Sequence, residues 1–466
     1  MIMEKLAKKP TFLQSLILTI VSLFLLMYTI VILRGDAHIP LIISATIISV
    51  FAVCKLGFRW DDLMEGIAQG IKEIAPTILI FGIIGMMIAS WTMAGIVPTL
   101  IYYGLHIINP KFFLILSMFI SAIVSLSTGS SWTTVGTIGV VFLGVGAGFG
   151  VPMAITAGAV ISGAYFGDKV SPLSDTTNLA PTMSGATLFD HVRHMLVSSG
   201  ISLAVSSIIF LAMGMQYGQD SAVDLSLIAE IGEIIKSNFY ISPVLLLVPC
   251  AVIVMGVLRK PVVPSLFLGV LLGCVCCVLF QKNDLGSIIS ALNNGYNFES
   301  SSELMSSLLS GGGIQNMMWS MSLTLCAICF GSILDITQIL NVLAEQVLGI
   351  ARGTKGLIVC TVFTCLGVNL ITGDQYLGII LPGKMYRKAY EKRGLAPQNL
   401  SRALEDSATV TSPLVPWSSC AAVMVAALGI PTLQYLPYCY FSLLSPLVSI
   451  FLGLTGISII KLDKTK

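Results

Sequence analysis

Residues 112–132 read FFLILSMFISAIVSLSTGSSW, and no charged side chain occurs from there to Gly167. A water-exposed domain cannot lack charge over so long a stretch, whereas a bilayer core favours uncharged, apolar segments of about 20 residues. The uncharged stretch 112–167 is too long for one crossing and must contain more than one. The glycine and hydroxyl residues at 125–134 sustain a helix poorly. The stretch therefore predicts an all-α membrane protein with broken helices or re-entrant hairpins.

The whole chain has the same character as this stretch. Hydrophobic residues make up 55% of the sequence and charged residues 10%, whereas soluble domains carry about 25% charged residues. Runs of this kind predict roughly 10 to 13 membrane segments: 12–33, 39–54, 76–105, 112–167, 195–219, 241–258, 261–281, 304–334, 356–373 and 407–460. The partner is a lipid bilayer, because no basic cluster is interleaved with stacking aromatics as nucleic-acid binding would need.

The placement of charges predicts the orientation in the membrane. Basic residues accumulate on the cytoplasmic side, and three such groups stand at the N-terminus, in the segment 384–402 and at the C-terminus: Lys5, Lys8, Lys9; Lys384, Arg387, Lys388, Lys392, Arg393, Arg402; Lys461, Lys464, Lys466. Both termini are then cytoplasmic. Residues 217–240 hold four acids against one lysine, which suits an external linker between a first membrane repeat, 1–216, and a second, 241–466.

An internal repeat supports this division. STGSSW at 127–132 aligns with ITGDQY at 371–376, an offset of 244 (371 − 127). Further matches keep this offset: Lys111 with Lys355, Gly139 with Gly383, and Gly185 with Gly429. The tripeptide Ser-Pro-Leu recurs at 171–173 and 412–414, an offset of 241 (412 − 171). Because the predicted orientation places matching segments on opposite sides, the repeats are expected to be inverted, as in many secondary transporters.

The first candidate site surrounds the earlier glycine break. Hydroxyls and freed carbonyls there could ligate a small hard cation, which prefers oxygen. The candidate ligands are Ser127, Thr128, Ser130 and Ser131. The alternative is a seam of small residues where helices pack closely.

The second candidate site is the segment GAYFGDKVSPLSDTTN, residues 163–178. Carboxylates inside a membrane are costly and usually serve ion or proton pathways. Asp168 and Asp175 are the candidates, with Thr176 and Asn178 beside them, and Lys169 is expected to neutralise one of the two acids. The alternative is a loop at the membrane surface.

The third candidate site combines the second-half counterparts. Asp374 stands at the repeated glycine break with Thr372 and Gln375, and Asp406 stands deeper, before the repeated Ser-Pro-Leu, with Ser407. Glu405 is expected at the cytoplasmic rim, because Arg402 lies three residues away. A sodium site is predicted among Asp175, Asp374 and Asp406. The alternative for these acids is a role at helix starts near the interface.

Other chemistries are disfavoured. No G-x-x-x-x-G-K-[ST] motif for ATP binding is present, so ion gradients must supply the energy. The H-E-x-x-H motif of zinc hydrolases is also absent, so the sequence does not suggest a hydrolase. Two C-x-x-C pairs, Cys274 with Cys277 and Cys326 with Cys329, are interpreted as structural thiols. His191 and His194 are interpreted as part of a solvated amphipathic stretch, because Asp190 and Arg193 flank them. A channel is not favoured by buried acids in an inverted repeat. We expect no enzyme activity and no cofactor.

Two motifs give a family resemblance. GAYFGDKVSPLSDTTNLA at 163–180 and LEDSATVTSPLVPW at 404–417 resemble the NhaC family of sodium/proton antiporters, and the resemblance covers nearly the whole chain. It implies a protein of the bacterial cytoplasmic membrane that transports Na⁺ and H⁺ by alternating access, built from a scaffold and a moving transport domain. The family also includes relatives that exchange organic acids such as malate and lactate, so a small organic acid stays open as a substrate. A homodimer is compatible with these features.

Overall fold

The structure is a computed structural model that describes residues 8–217, 225–300 and 302–462. Five charged residues used in the orientation argument lie outside the described residues: Lys5, Asp220, Asp224, Lys464 and Lys466. Within the described part of the chain, helices dominate and no β-strand forms; two isolated bridges pair Tyr296 with Gly311 and Leu395 with Lys461. The prediction of an all-α protein is confirmed.

The described residues of the first half form nine α-helices and π-extended helices, besides a 3₁₀ turn at Pro110–Phe112. They are α1 (Phe12–Ile32), α2 (His38–Leu56), α3 (Trp60–Met93), α4 (Ile96–Ile107), α5 (Phe113–Thr128), α6 (Ser131–Gly148), α7 (Met153–Val170), α8 (Asp175–Ser184) and α9 (Leu188–Tyr217).

The second half begins with a helix in the linker region and continues to the last apolar run. Its helices are α10 (Leu225–Asn238), α11 (Leu247–Val257), α12 (Val262–Leu279), α13 (Leu285–Asn294), α14 (Glu303–Leu308), α15 (Ile314–Ile336), α16 (Ile339–Ile350), α17 (Gly353–Thr372), α18 (Gln375–Lys392), α19 (Pro397–Leu414), α20 (Ser419–Leu428), α21 (Thr432–Tyr438) and α22 (Tyr440–Thr455).

Length and composition qualify nine described helices to cross a membrane, or up to twelve when each bent pair counts as one span. The upper figure overlaps the predicted range, and the bent pairs agree with the predicted broken helices. One boundary prediction was wrong. The run expected to begin at Pro76 belongs to α3, which begins at Trp60 and passes through that proline. Charged residues in its first turns hid the helix from a search for apolar runs.

The two predicted glycine breaks are built in the same way. Gly129 ends α5 with φ 68°, and Gly373 ends α17 with φ 67°, a left-handed conformation that glycine adopts without steric cost. The residue after each glycine caps the next helix. Ser130 accepts a hydrogen bond from the Thr133 amide at 3.2 Å, and Asp374 accepts one from the Leu377 amide at 2.8 Å. At each break, therefore, a new helix begins within apolar sequence.

Helix boundaries in the two halves recur at one spacing. The left-handed glycines Gly129 and Gly373 are 244 residues apart (373 − 129), as are Gly185 and Gly429 (429 − 185). The Ser-Pro-Leu match at 241 does not follow this spacing. At an offset of 244, Pro172 corresponds to Pro416. Pro172 lies in the interruption before α8, and Pro416 lies in the interruption before α20. Ser-Pro-Leu at 412–414 instead forms a 3₁₀ turn at the end of α19.

Helices α3 and α15 pack directly against each other and carry the central part of the molecule. At the start of α15, the Gly313 amide donates to the Gly85 carbonyl of α3 at 2.6 Å. A Cβ atom on Gly70 would meet the Ser332 hydroxyl, and one on Gly66 would meet Ile336, so glycines of α3 make room for side chains of α15. The facing sides of the two helices form one wall of the cavity described next.

Candidate functional site

A cavity of about 1070 Å³ lies where the glycine breaks of both halves meet α3 and α15. We call it the central cavity. Its polar and charged lining comes from both halves of the chain: Gln69, Glu73, Thr77, Thr128, Ser130, Ser131, Asp168, Ser174, Asp175, Thr176, Arg259, Lys260, Ser332, Asp335, Asp374, Gln375 and Tyr376. Segments that are distant in sequence thus present oxygen atoms to one space.

Asp168 ties the first glycine break to the end of α7. Its Oδ2 accepts hydrogen bonds from the Ser131 amide at 3.1 Å and from the Ser131 hydroxyl at 2.6 Å. Ser131 is the first residue of α6, where unpaired amides and the helix dipole stabilise negative charge. The carboxylate is buried, with 9% of its residue surface exposed. The break and the carboxylate are therefore one structural unit.

Asp374 and Asp175 face the same cavity from two other helix starts. Asp374 is buried and caps α18, as described above. Asp175 is the first residue of α8 and is exposed. Together with Asp168, these residues give the central cavity three carboxylates from the predicted sites, each at the end or the start of a helix.

Glu405 and Asp406 lie behind the cavity wall and do not line it. They occupy a π-helical turn, Glu405–Thr409, in which every residue is fully buried. Asp406 pairs with Lys169 and also accepts from the Ser198 hydroxyl at 2.9 Å. Lys169 therefore neutralises Asp406, and not Asp168 or Asp175 as expected.

The prediction that Glu405 lies at the cytoplasmic rim was based on the nearby Arg402. Glu405 and Arg402 are both fully buried. Arg402 Nε lies 3.9 Å from Asp406 Oδ2, and Arg402 Nη1 lies 3.0 Å from His194 Nε2. Neighbouring charges in a sequence indicate a surface only when water solvates them. Here the charged groups interact with other buried side chains. We call Lys169, Arg402, Glu405 and Asp406 the buried charge cluster.

The histidines were also misassigned to a solvated stretch. His191 and His194 are buried although Asp190 and Arg193 beside them are exposed. His191 Nδ1 lies 2.8 Å from the Ser401 hydroxyl, and His194 contacts the carbonyls of Gln398 and Ser458. The start of α9 thus has one buried face, which packs on α19 and the C-terminal segment.

The remaining predicted residues divide between the cavity and the backbone around it. Thr128, Ser130, Thr176 and Gln375 line the cavity. The other four satisfy nearby backbone groups or stabilise a break, and do not line it: Ser127 donates to the Ile123 carbonyl, Thr372 to that of Val368, Ser407 to that of Ala403, and Asn178 to those of Pro172 and Ser174.

Sequence reasoning missed the acids contributed by α3 and α15. Glu73 and Asp335 line the cavity together with Gln69 and Ser332. A signal existed in the spacing of Gly66, Gln69, Gly70 and Glu73, which places all four on one helical face. Glu73 was overlooked because one membrane run was started at Pro76, and Asp335 because another run was ended at Leu334.

Among the described residues, no three His, Cys, Asp or Glu groups are gathered closely enough to hold a metal ion. The carboxylates line one shared cavity without forming a closed cage. A monovalent cation entering this space would use carboxylate oxygens together with hydroxyls and carbonyls freed at the breaks.

Comparison with known proteins agrees with this geometry. Residues 163–457 match the family model described as the Na⁺/H⁺ antiporter family. The chain belongs to this Na⁺/H⁺ antiporter family. The matched region contains Asp168, Asp175, Asp374 and the buried charge cluster, and the resemblance to NhaC proteins is confirmed. The chain is a multi-pass membrane protein of a transporter family.

Three relatives align with this chain over almost their whole length. The Na(+)/H(+) antiporter NhaC of Alkalihalophilus pseudofirmus is 38% identical over 97% of each chain. NhaC of Bacillus subtilis is 36% identical over 96% of this chain and 98% of its own. The malate-2H(+)/Na(+)-lactate antiporter of Bacillus subtilis is 34% identical over 96% of this chain and 95% of its own.

Proposed function

We propose that this protein exchanges Na⁺ for H⁺ across the bacterial cytoplasmic membrane by alternating access at the central cavity. The observation that carries the proposal is the arrangement of Asp168, Asp175 and Asp374, which reach one cavity from helix ends in both halves of the chain. Family membership and the names of the NhaC relatives support the choice of ions.

The mechanism follows from the cost of charge inside a membrane. An ionised carboxylate away from water is unstable unless a cation or a proton compensates it. A site with several carboxylates can therefore change its exposure from one side to the other when it is loaded with Na⁺ or with protons, and only slowly when empty. Loading with one ion disfavours the other. This mutual exclusion makes transport an exchange, with no need for ATP.

The proposal includes the orientation and division of the chain. Residues 1–216 and 241–466 are two repeats of opposite topology, joined by an external linker at 217–240, with both termini in the cytoplasm. Helix breaks near the centre of such repeats would place the ion site near the midplane of the membrane. The equal spacing of the left-handed glycines supports the repeat, and the distribution of basic residues supports its inversion.

A second candidate is a Na⁺/H⁺-coupled exchanger of organic acids. The cavity volume of about 1070 Å³ is far larger than a bare cation needs, and Arg259 and Lys260 line it with positive charge. Transport by purified protein in lipid vesicles with an imposed pH gradient would separate the candidates. Sodium, lithium, potassium, malate, lactate and basic amino acids should be offered singly. Sodium exchange that needs no organic solute supports the proposal; exchange that requires an organic acid would replace it.

A further inference from the structure

Two hydroxyl side chains connect the central cavity with the buried carboxyl group of Glu405. Ser174 and Thr176 both line the cavity, and their hydroxyl oxygens are 3.2 Å apart. The Thr176 hydroxyl donates to Glu405 Oε1 at 2.9 Å. We propose that Ser174 and Thr176 form a proton relay and that Glu405 is a proton-binding site separate from the site where Na⁺ binds.

The relay is chemically complete as a path for protons. Each hydroxyl can accept one hydrogen bond while donating another. A hydronium ion in the cavity gives a proton to Ser174, Ser174 gives its own proton to Thr176, and Thr176 gives its own to Glu405. At each hydroxyl oxygen one O–H bond forms and one breaks, the hydronium ion becomes water, and the carboxylate gains one proton. The reverse sequence releases it.

The surroundings of Glu405 admit a proton but not a sodium ion. Glu405 and all four residues that follow it in the π-helical turn are fully buried. Its Oε2 is buried and has no hydrogen-bond partner among the described residues. A hard cation requires several oxygen ligands, whereas a proton needs only this one oxygen. Glu405 is also absent from the cavity lining, so Na⁺ in the cavity does not touch it.

The buried charge cluster can accommodate Glu405 with or without its proton. Lys169 and Arg402 are two cations, and Asp406 is the other carboxylate near them. Ionised Glu405 makes the cluster neutral, and protonated Glu405 leaves it with one positive charge. A paired or balanced charge is tolerated in a buried position far better than an isolated one, so neither state is forbidden. Reversible protonation is what transport requires.

The other ionisable groups on the packed helices leave this balance unchanged. Helix α7 carries Asp168 as well as Lys169, and Asp168 bonds to Ser131 on the cavity side. Helix α8 carries Asp175 in the cavity. The last helix, α22, contains no Asp, Glu, Lys, Arg or His. On the remaining helices, α9, α17 and α18, the charged residues are exposed, and the buried groups can stay neutral: His191, His194, Cys365, Tyr386 and Tyr390.

A separate proton site still makes Na⁺ and H⁺ exclude each other. Protonation of Glu405 removes negative charge behind the wall formed by Ser174 and Thr176, which weakens cation binding in the cavity. By linkage, Na⁺ in the cavity weakens proton binding at Glu405 to the same degree. The inference therefore rests on the proposed exchange and specifies where its proton is held.

The test compares proton and sodium movements in the same vesicles. Thr176→Val keeps the shape of the side chain and removes the hydroxyl that links the cavity to Glu405. We expect the ratio of Na⁺-driven H⁺ flux to Na⁺/Na⁺ exchange to fall by at least about tenfold, because a positioned proton donor or acceptor is commonly worth more than that. Thr176→Ser should restore the ratio, and Glu405→Gln should lose it.

Thr182→Val is the matched control on the same helix, since the Thr182 hydroxyl donates to its own helix carbonyl at Asn178 and does not line the cavity. A wild-type ratio in Thr176→Val would overturn the relay. So would an equal loss of both fluxes, because that result would make the hydroxyl a sodium ligand or a packing element. Wild-type protein with no Na⁺-driven H⁺ movement would instead refute the exchange proposal itself. Should Glu405→Gln fail to accumulate, the Thr176 pair decides the matter.

Discussion

Lys169 and Asp406 form an ion pair whose side chains are both fully buried, although 237 residues separate them in the sequence. Lys169 also donates to the Ser445 hydroxyl at 2.9 Å and lies 5.5 Å from the centre of the Phe441 ring. Since Lys169 follows the cavity residue Asp168 directly, the pair connects the end of α7 with the second half of the chain. Any movement of the cavity wall must carry this pair along or break it.

This pair should show strong energetic coupling. Removing one partner leaves an uncompensated buried charge and typically costs about 3–5 kcal/mol, so Lys169→Met and Asp406→Asn should each lower the melting temperature in detergent. The double variant should be more stable than the sum of the single losses implies. The exposed pair Arg387–Glu391 is the control, because surface pairs contribute about 0–1 kcal/mol. Additive losses at Lys169 and Asp406 would show that they are not coupled.

Asp175→Asn should abolish exchange and leave membrane insertion intact. Asparagine preserves the shape of the side chain but can neither take up a proton nor compensate the charge of Na⁺. Exchange in vesicles should fall to the level of protein-free vesicles. Asp61→Asn is the control, since Asp61 is an exposed acid outside the cavity. Wild-type exchange in Asp175→Asn would remove this residue from the ion site.

Equivalent residues of the two repeats should lie on opposite sides of the membrane. Lys111 and Lys355 are both exposed and stand at the same position in the repeat. In a variant without the eleven native cysteines, Lys111→Cys should react with an impermeant thiol reagent added outside intact cells. Lys355→Cys should react only after the membrane is opened. Reaction of both from one side would exclude an inverted repeat.

Protons should raise the apparent KM for Na⁺ without lowering the maximal rate. Proton binding in the cavity or at Glu405 disfavours Na⁺ in either case, and excess Na⁺ reverses it. Where one proton competes, KM should rise by about tenfold per unit of falling pH. The measurement is initial Na⁺ uptake against Na⁺ concentration at several pH values on the sodium side. A fall in maximal rate alone would indicate a separate pH sensor, for which the buried His191 and His194 would be the first candidates.

The helix breaks were predictable because their causes are local. Gly129 and Gly373 stand among hydroxyl residues in apolar sequence, and each adopts the left-handed conformation that ends a helix. The Ser-Pro-Leu match gave a wrong alignment because it, too, is a local pattern. Three identical residues at 412–414 outweighed the single proline, Pro416, that occupies the position equivalent to Pro172.

The partners of buried charges were not predictable from local sequence. Glu405 and Arg402 look like a membrane rim when read alone, and only the fold brings Lys169 to them from α7. Glu73 and Asp335 show the converse. In the sequence they resemble charges at the ends of membrane spans. In the structure, α3 packs on α15 and both side chains line the central cavity. Sequence therefore located the carboxylates of the breaks, while tertiary packing decided which of them share a space.

The most direct test of the account measures both ions at once, in vesicles that contain the purified protein. Vesicles loaded with Na⁺ are diluted into Na⁺-free medium of the same pH, with the membrane potential clamped and Asp175→Asn vesicles as background. The account predicts that Na⁺ leaves and the interior acidifies in proportion, with no proton entry when internal Na⁺ is omitted. Na⁺ efflux without acidification would contradict it.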